Sequence, residues 1–205
     1  MNFSGGIPNT YYSKYIVEIL GGTAFIVGVI GFISNIILAF VQFPGGYLAD
    51  TQGRRWIIVV MTYGVAFTYI LYAVSPTWHF IVIAAIIQNL CLVYQPALMA
   101  MRSDSMQFEK RGMGFATITF LTNISLTFSP IIAGFLYIQY GLDIGMRIAY
   151  FIVTVFFLAA ATLRIKLKET LEVREGGKSV RRVLKSYPQT VKESLASWKI
   201  LPRPM

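Results

Sequence analysis

Asp50, Arg54 and Arg55 form a tight group of opposite charges. Four amides, Asn35, Gln88, Gln95 and Asn123, stand in long stretches with hardly any charge. This is the chemistry of recognition rather than of bond-making. A carboxylate four residues from a guanidinium can make charge-assisted hydrogen bonds that tie neighbouring segments together. An amide inside an apolar stretch must find a partner, either a solute in a polar cavity or a facing helix. For Asn35 and Asn123 both readings stand open. Catalysis asks for a nucleophile with a base, paired carboxylates or metal ligands. The chain has one histidine, His79, and one cysteine, Cys91. No catalytic residue, metal site or cofactor is therefore expected.

The elements that carry these residues are membrane helices. Residues 23–47 and 56–78 have no charge, and about 20 apolar residues cross roughly 30 Å of hydrocarbon. The whole chain of 205 residues is 56% hydrophobic and only 13% charged, with a mean hydropathy of +0.62. Soluble domains carry about a quarter charged residues. The chain therefore belongs in a bilayer. Its net charge of +9 does not point to nucleic acid, because the charges are segregated. Sixteen of the eighteen Lys and Arg residues fall on one side if each apolar stretch crosses once. They lie at Arg54–Arg55, at Arg102, Lys110 and Arg111, and from Arg164 onward. Basic loops stay cytoplasmic. That places the loop around Asp50, the loop 103–111 and the C-terminal tail on the cytoplasmic side of a cell membrane.

Along the chain, Gly46–Arg55 reads as a glycine-punctuated turn between two membrane helices. Ser75–His79 reads as an outside turn, with a helix over about 80–102 beyond it. A helix over about 112–140 follows, then an outside turn at 141–145, then a helix over about 146–163. Pro96 and Pro130 lie inside these helices and predict bends, because each frees a backbone carbonyl. Gln88, Gln95 and Arg102 are seven apart and predict one polar helix face, widened by Asn89 and Tyr94. Thr119, Thr122, Asn123, Ser125 and Ser129 make a second polar stripe, although Ser and Thr also bond their own helix backbone. His79 and Arg147 are expected to be solvated at the outer rim. Residues 1–165 form the helical part. Residues 166–205 form a basic linker, with a candidate surface helix over 179–199 interrupted at Pro188.

Gly46, Leu48, Asp50, Gly53, Arg54 and Arg55 resemble the signature between the second and third helices of Major Facilitator Superfamily transporters. Thr51 departs from it, standing where that family usually carries a basic residue. The resemblance implies an all-α membrane protein, the N-terminal six-helix bundle of a twelve-helix transporter. Residues 1–20 correspond to part of the first helix. The family is built of two inverted three-helix repeats. Residues 34–48 align with residues 122–136, with six identities in fifteen positions, including Asn35 with Asn123 and Gly46 with Gly134. The resemblance also implies a gating network of Gly46, Asp50, Gly53, Arg54 and Arg55. Asp104, at the inner end of the fourth helix, belongs to it. The stretch Ser129–Gly134 matches an antiporter motif only in part and assigns no antiport.

The function implied is secondary transport of a small solute by alternating access, with a cavity at Asn35, Gln88, Gln95 and Asn123. The partners are that solute, the lipid bilayer and a second six-helix bundle. The alternative is a truncated, non-transporting relic, or a half-transporter that needs a partner bundle.

Overall fold

The structure is a computed structural model that describes residues 2–167, without the side chains of residues 2–4, 43 and 47–52. The described residues are helical, with no strand among them. The helices are α1 (Asn2–Glu18), α2 (Ala24–Gln52), α3 (Arg54–Val74), α4 (Trp78–Cys91), α5 (Gln95–Asp104) and α6 (Arg111–Arg164). Short 3₁₀ turns at Leu92–Tyr94 and Phe108–Lys110 join α4 to α5 and α5 to α6. The basic linker read over 166–205, with its candidate surface helix, lies outside the described residues apart from Lys166 and Leu167.

Four stretches are long and apolar enough to cross a membrane: Ala24–Gly46, Arg54–Val74, Trp78–Asp104 and Phe108–Arg164. The last is not one straight rod. Gly141 leaves helical geometry at φ 75°, ψ 179°. It splits α6 into limbs 111–140 and 142–164, of about 45 and 34 Å at 1.5 Å per residue. Each is long enough to cross roughly 30 Å. The 17-residue α1 falls short of that count.

Two turns differ from the sequence reading. α2 continues through Gly46 and Asp50 to Gln52, and the reversal is made by Gly53 alone, at φ 92° and ψ 138°. Only glycine reaches that conformation without strain. Likewise the turn expected over 141–145 is made by Gly141, and helix resumes at residue 142. A single residue in the glycine region can reverse a chain, so longer loops are unnecessary.

The helix over 80–102 is interrupted next to Pro96, where a bend is expected. Pro96 has no N–H to give the Leu92 carbonyl, and the chain tightens into the 3₁₀ turn Leu92–Tyr94 just before it. At Pro130 the chain keeps helical angles, and the break in α6 falls at Gly141.

α3 sits at the centre, packed on α4 and on α6, and α1 packs along α6. Half of the α3 span is buried, against 6% of the α2 span. One apolar cluster joins Tyr15, Ile16, Tyr72, Ile81, Met146 and Tyr150. A second, towards the basic end, joins Ile58, Val65, Val93, Ala97, Val153 and Phe157.

Candidate functional site

The two ends of the bundle are tied by charge, and a polar cavity lies between them. At the basic end, Arg54 opens α3 and Asp104 closes α5, and the Arg54 guanidinium donates directly to the Asp104 carboxylate. The Arg54 side chain is 9% exposed and that of Asp104 is 42% exposed. Arg55 donates to the backbone carbonyl of Ile165, just past α6. Arg164, at the end of α6, donates to the Thr62 hydroxyl on α3 and lies over the Tyr94 ring at 5.1 Å. Together these contacts fasten α3 to α5 and α6. The Asp50 side chain lies outside the described residues. Of the neighbouring glycines, Gly45 rather than Gly46 makes a close helix approach. A Cβ there would lie 2.3 Å from the Val93 carbonyl oxygen, whereas one at Gly46 meets nothing within 4 Å.

At the other end Arg147 is not simply solvated. Its Nε donates to Asp143 at 2.8 Å, and its two terminal nitrogens donate to the carbonyls of Ala73 and Ser75 at 3.0 and 3.4 Å. These carbonyls end α3, where helical partners run out. A cation there also meets the negative end of the helix dipole. Ser75 is buried and folds its hydroxyl back onto the Tyr72 carbonyl at 2.8 Å. Lys14 donates to the Tyr137 hydroxyl at 3.1 Å, tying α1 to α6. His79 lies in the first turn of α4, stacked on Trp78 with ring centres 3.5 Å apart.

An open-sided cavity of about 410 Å³ lies among α1, α2, α3, α4 and the second limb of α6. Its walls include Tyr12, Ser34, Tyr69, Tyr72, Gln88, Asn89 and Tyr150. Tyr72 and Tyr150 stack with ring centres 5.3 Å apart, and Tyr69 leans on both at 5.8 and 6.4 Å. The Tyr72 hydroxyl donates to Gln88 Oε1 at 3.0 Å. Asn89 donates to the Ala85 carbonyl one turn earlier, at 2.7 Å.

Of the four amides singled out from sequence, Gln88 lines this cavity and the other three do not. Gln95 opens α5 beyond the 3₁₀ turn, about 10 Å further along the axis than Gln88 at 1.5 Å per residue. Asn35 is exposed on α2, bonding the Gly31 carbonyl of its own helix at 2.9 Å. Asn123 is exposed on the first limb of α6. On that limb Ser125 and Ser129 bond the backbone four residues back, and none of the second stripe lines the cavity. The residues missed were the tyrosines. Their signal was spacing: Tyr12 with Tyr15, and Tyr69 with Tyr72, each three apart on one helix face.

Comparison with known proteins accords with this architecture. The sequence profile of the Major Facilitator Superfamily matches residues 1–204. The chain is 27% identical over 174 residues to "MFS transporter asaE" of Aspergillus flavus, covering 80% of this chain and 37% of that protein. It is 28% identical over 180 residues to the "Na(+), Li(+), K(+)/H(+) antiporter" of Planococcus maritimus, covering 83% of this chain and 40% of that protein. Well under half the length of these relatives is thus represented here. Among solved structures, a mutant of the peptide transporter POT bound to alafosfalin superposes with a TM-score of 0.69 at 16% identity. That match covers 99% of this chain and 44% of the other. From the profile match and the apolar helices together, this multi-pass membrane chain belongs to the Major Facilitator Superfamily.

Proposed function

We propose that the chain is the N-terminal six-helix bundle of a secondary transporter, moving a small solute across the cell membrane by alternating access. The tyrosine- and amide-lined cavity carries this reading. Gln88 lies about 15 Å along its helix from Trp78, at 1.5 Å per residue. That is near the middle of a layer roughly 30 Å thick, the depth at which transporters of this kind hold solute. The reading involves no catalytic step.

The Arg54–Asp104 pair acts as a latch at the cytoplasmic end, together with Gly46, Asp50, Gly53 and Arg55. It favours the state closed on that side, and its opening releases the other. A few charge-assisted hydrogen bonds are enough to shift such a two-state balance. The concentration of Lys and Arg at this end supports the cytoplasmic assignment.

α2 and the first limb of α6, the two helices paired by the repeat, present exposed apolar faces. Phe32 on α2 is 67% exposed and Ile131 on α6 is 66% exposed. This supports docking of a second six-helix bundle there, with Asn35 and Asn123 at that junction.

Labelling tests the proposal. In a Cys91→Ser background, Ser34→Cys puts one thiol on the cavity wall. In proteoliposomes that hold this bundle together with the second six-helix bundle, membrane-impermeant maleimide should reach it from each face, and locking one face closed should abolish labelling from that face alone. Labelling from one face only, under all conditions, would refute alternating access.

A further inference from the structure

We infer that the groove between the α5–α6 turn and the first limb of α6 holds one anionic phospholipid, drawn from the leaflet at the basic end of the bundle. This needs only the membrane placement of the chain and stands apart from transport. The groove encloses about 410 Å³ and is lined by Met106, Gln107, Lys110, Met113, Gly114 and Thr117. It runs from Lys110 to Thr117, about 10 Å along the axis at 1.5 Å per residue. It starts at the boundary of an apolar span, which opens at Phe108. One end therefore lies in the headgroup layer and the other in hydrocarbon, which matches an amphiphile.

The charge at its mouth is of one sign. Lys110 is exposed and is the one charged residue among those lining the groove. Glu109 is exposed beside it but does not line the groove. A basic side chain at this depth attracts anionic headgroups. Phe108, 83% exposed, carries the Arg111 guanidinium over its ring at 5.4 Å, which sets a second cation beside Lys110. The deeper part is apolar and adaptable. Met113 is 76% exposed, and Met106 lies across Gly114, where a Cβ would strike its sulfur. Methionine fits irregular apolar shapes, such as an acyl chain. The Thr117 hydroxyl is spent on the Met113 carbonyl at 2.9 Å. A second bundle covering Asn123 and Ile131 leaves this groove open. At about 100° per residue, Asn123 lies about 80° to one side of Ile131, and Thr117 and Gly114 lie about 40° and 100° to the other.

The test places a fluorophore beside the groove. In a Cys91→Ser background, Leu121→Cys carries a bimane at an exposed site one turn beyond Thr117. The full chain, together with the second six-helix bundle, is held in nanodiscs of equal parts phosphatidylglycerol and phosphatidylcholine. One lipid at a time carries bromines on its acyl chains, and quenching reports which lipid lies in the groove. Phosphatidylglycerol should be preferred about fivefold, the worth of one basic side chain near the surface. Lys110→Gln should bring the preference close to one. The same label at Phe67, exposed in the middle of α3, should be quenched equally by both lipids. Equal quenching at Leu121, a preference there that survives Lys110→Gln, or the same preference at Phe67 each overturns the inference. Quenching by neither lipid at Leu121 also overturns it, because protein then covers the groove. Ser34→Cys labelling is independent of these readings, so the lipid site can fail while the transport reading stands.

Discussion

Two adjacent glycines should respond to alanine with opposite signs. At Gly45 a Cβ would stand 2.3 Å from the Val93 carbonyl oxygen and 3.0 Å from Val93 Cγ2. Carbon meets a carbonyl oxygen at about 3.3–3.6 Å, so the overlap is about 1 Å. The atom struck is backbone, in the 3₁₀ turn before Pro96, and it cannot swing aside as a side chain would. α2 must therefore separate from the α4–α5 junction. Overpacking of this kind costs about 1–3 kcal/mol. Alanine's better helix propensity returns at most ~0.8–1 kcal/mol. Gly45→Ala should thus lose up to about 2 kcal/mol, the difference of those two figures. At Gly46 no atom lies within 4 Å, and Gly46→Ala keeps the propensity gain, up to ~1 kcal/mol. The assay is unfolding in mixed micelles with rising SDS fraction, followed by circular dichroism and tyrosine fluorescence. If the two alanines fall within about 0.5 kcal/mol of each other, the scatter expected of uninvolved sites, the packing of α2 on Val93 is wrong.

Arg147→Met keeps the aliphatic stem and removes the hydrogen bonds to Asp143, Ala73 and Ser75; it should cost about 1–2 kcal/mol, at the lower end for charged hydrogen bonds because the group is partly exposed. Asp143→Asn should cost clearly less, since the α3 carbonyls keep their donors, and equal losses in the same micelle assay would show that α3 is not being capped. Asn35→Leu and Asn123→Leu should each change bundle stability by less than about 0.5 kcal/mol, as exposed sites outside any buried network do; a larger loss would show that either amide bonds another helix within this bundle.

How much was legible beforehand follows from what sequence can encode. The apolar spans were clear from length and the absence of charge. The break at Gly53 was implied by the glycine, but not that α2 would run on through Asp50, because a polar helix end and a polar turn have similar composition. Asp104 was singled out only through a family resemblance, and Arg54 meets it because α3 begins where α5 ends. The Gln88–Gln95 face failed for a definable reason. Seven residues carry Gln95 about 10 Å along the axis from Gln88, so a shared face is not a shared depth, and the cavity reaches only Gln88. The role of Arg147 was hidden because two of its partners are backbone carbonyls, which have no sequence signature. The tyrosine cluster was half visible in the three-residue spacings on α1 and α3. That these faces meet each other, and Tyr150, is decided by tertiary packing alone.

The latch is the most direct point of attack on the account. In the Cys91→Ser, Ser34→Cys background, and with the second six-helix bundle present, the ratio of cytoplasmic-face to outer-face labelling should be measured for the parent, for Asp104→Asn, and for the exchange Arg54→Asp with Asp104→Arg. The account predicts a several-fold rise in cytoplasmic-face labelling for Asp104→Asn and a return toward the parent ratio in the exchanged pair, with membrane insertion unchanged in all three. An identical ratio in all three proteins would contradict it, leaving the Arg54–Asp104 pair as a structural tie with no part in alternating access.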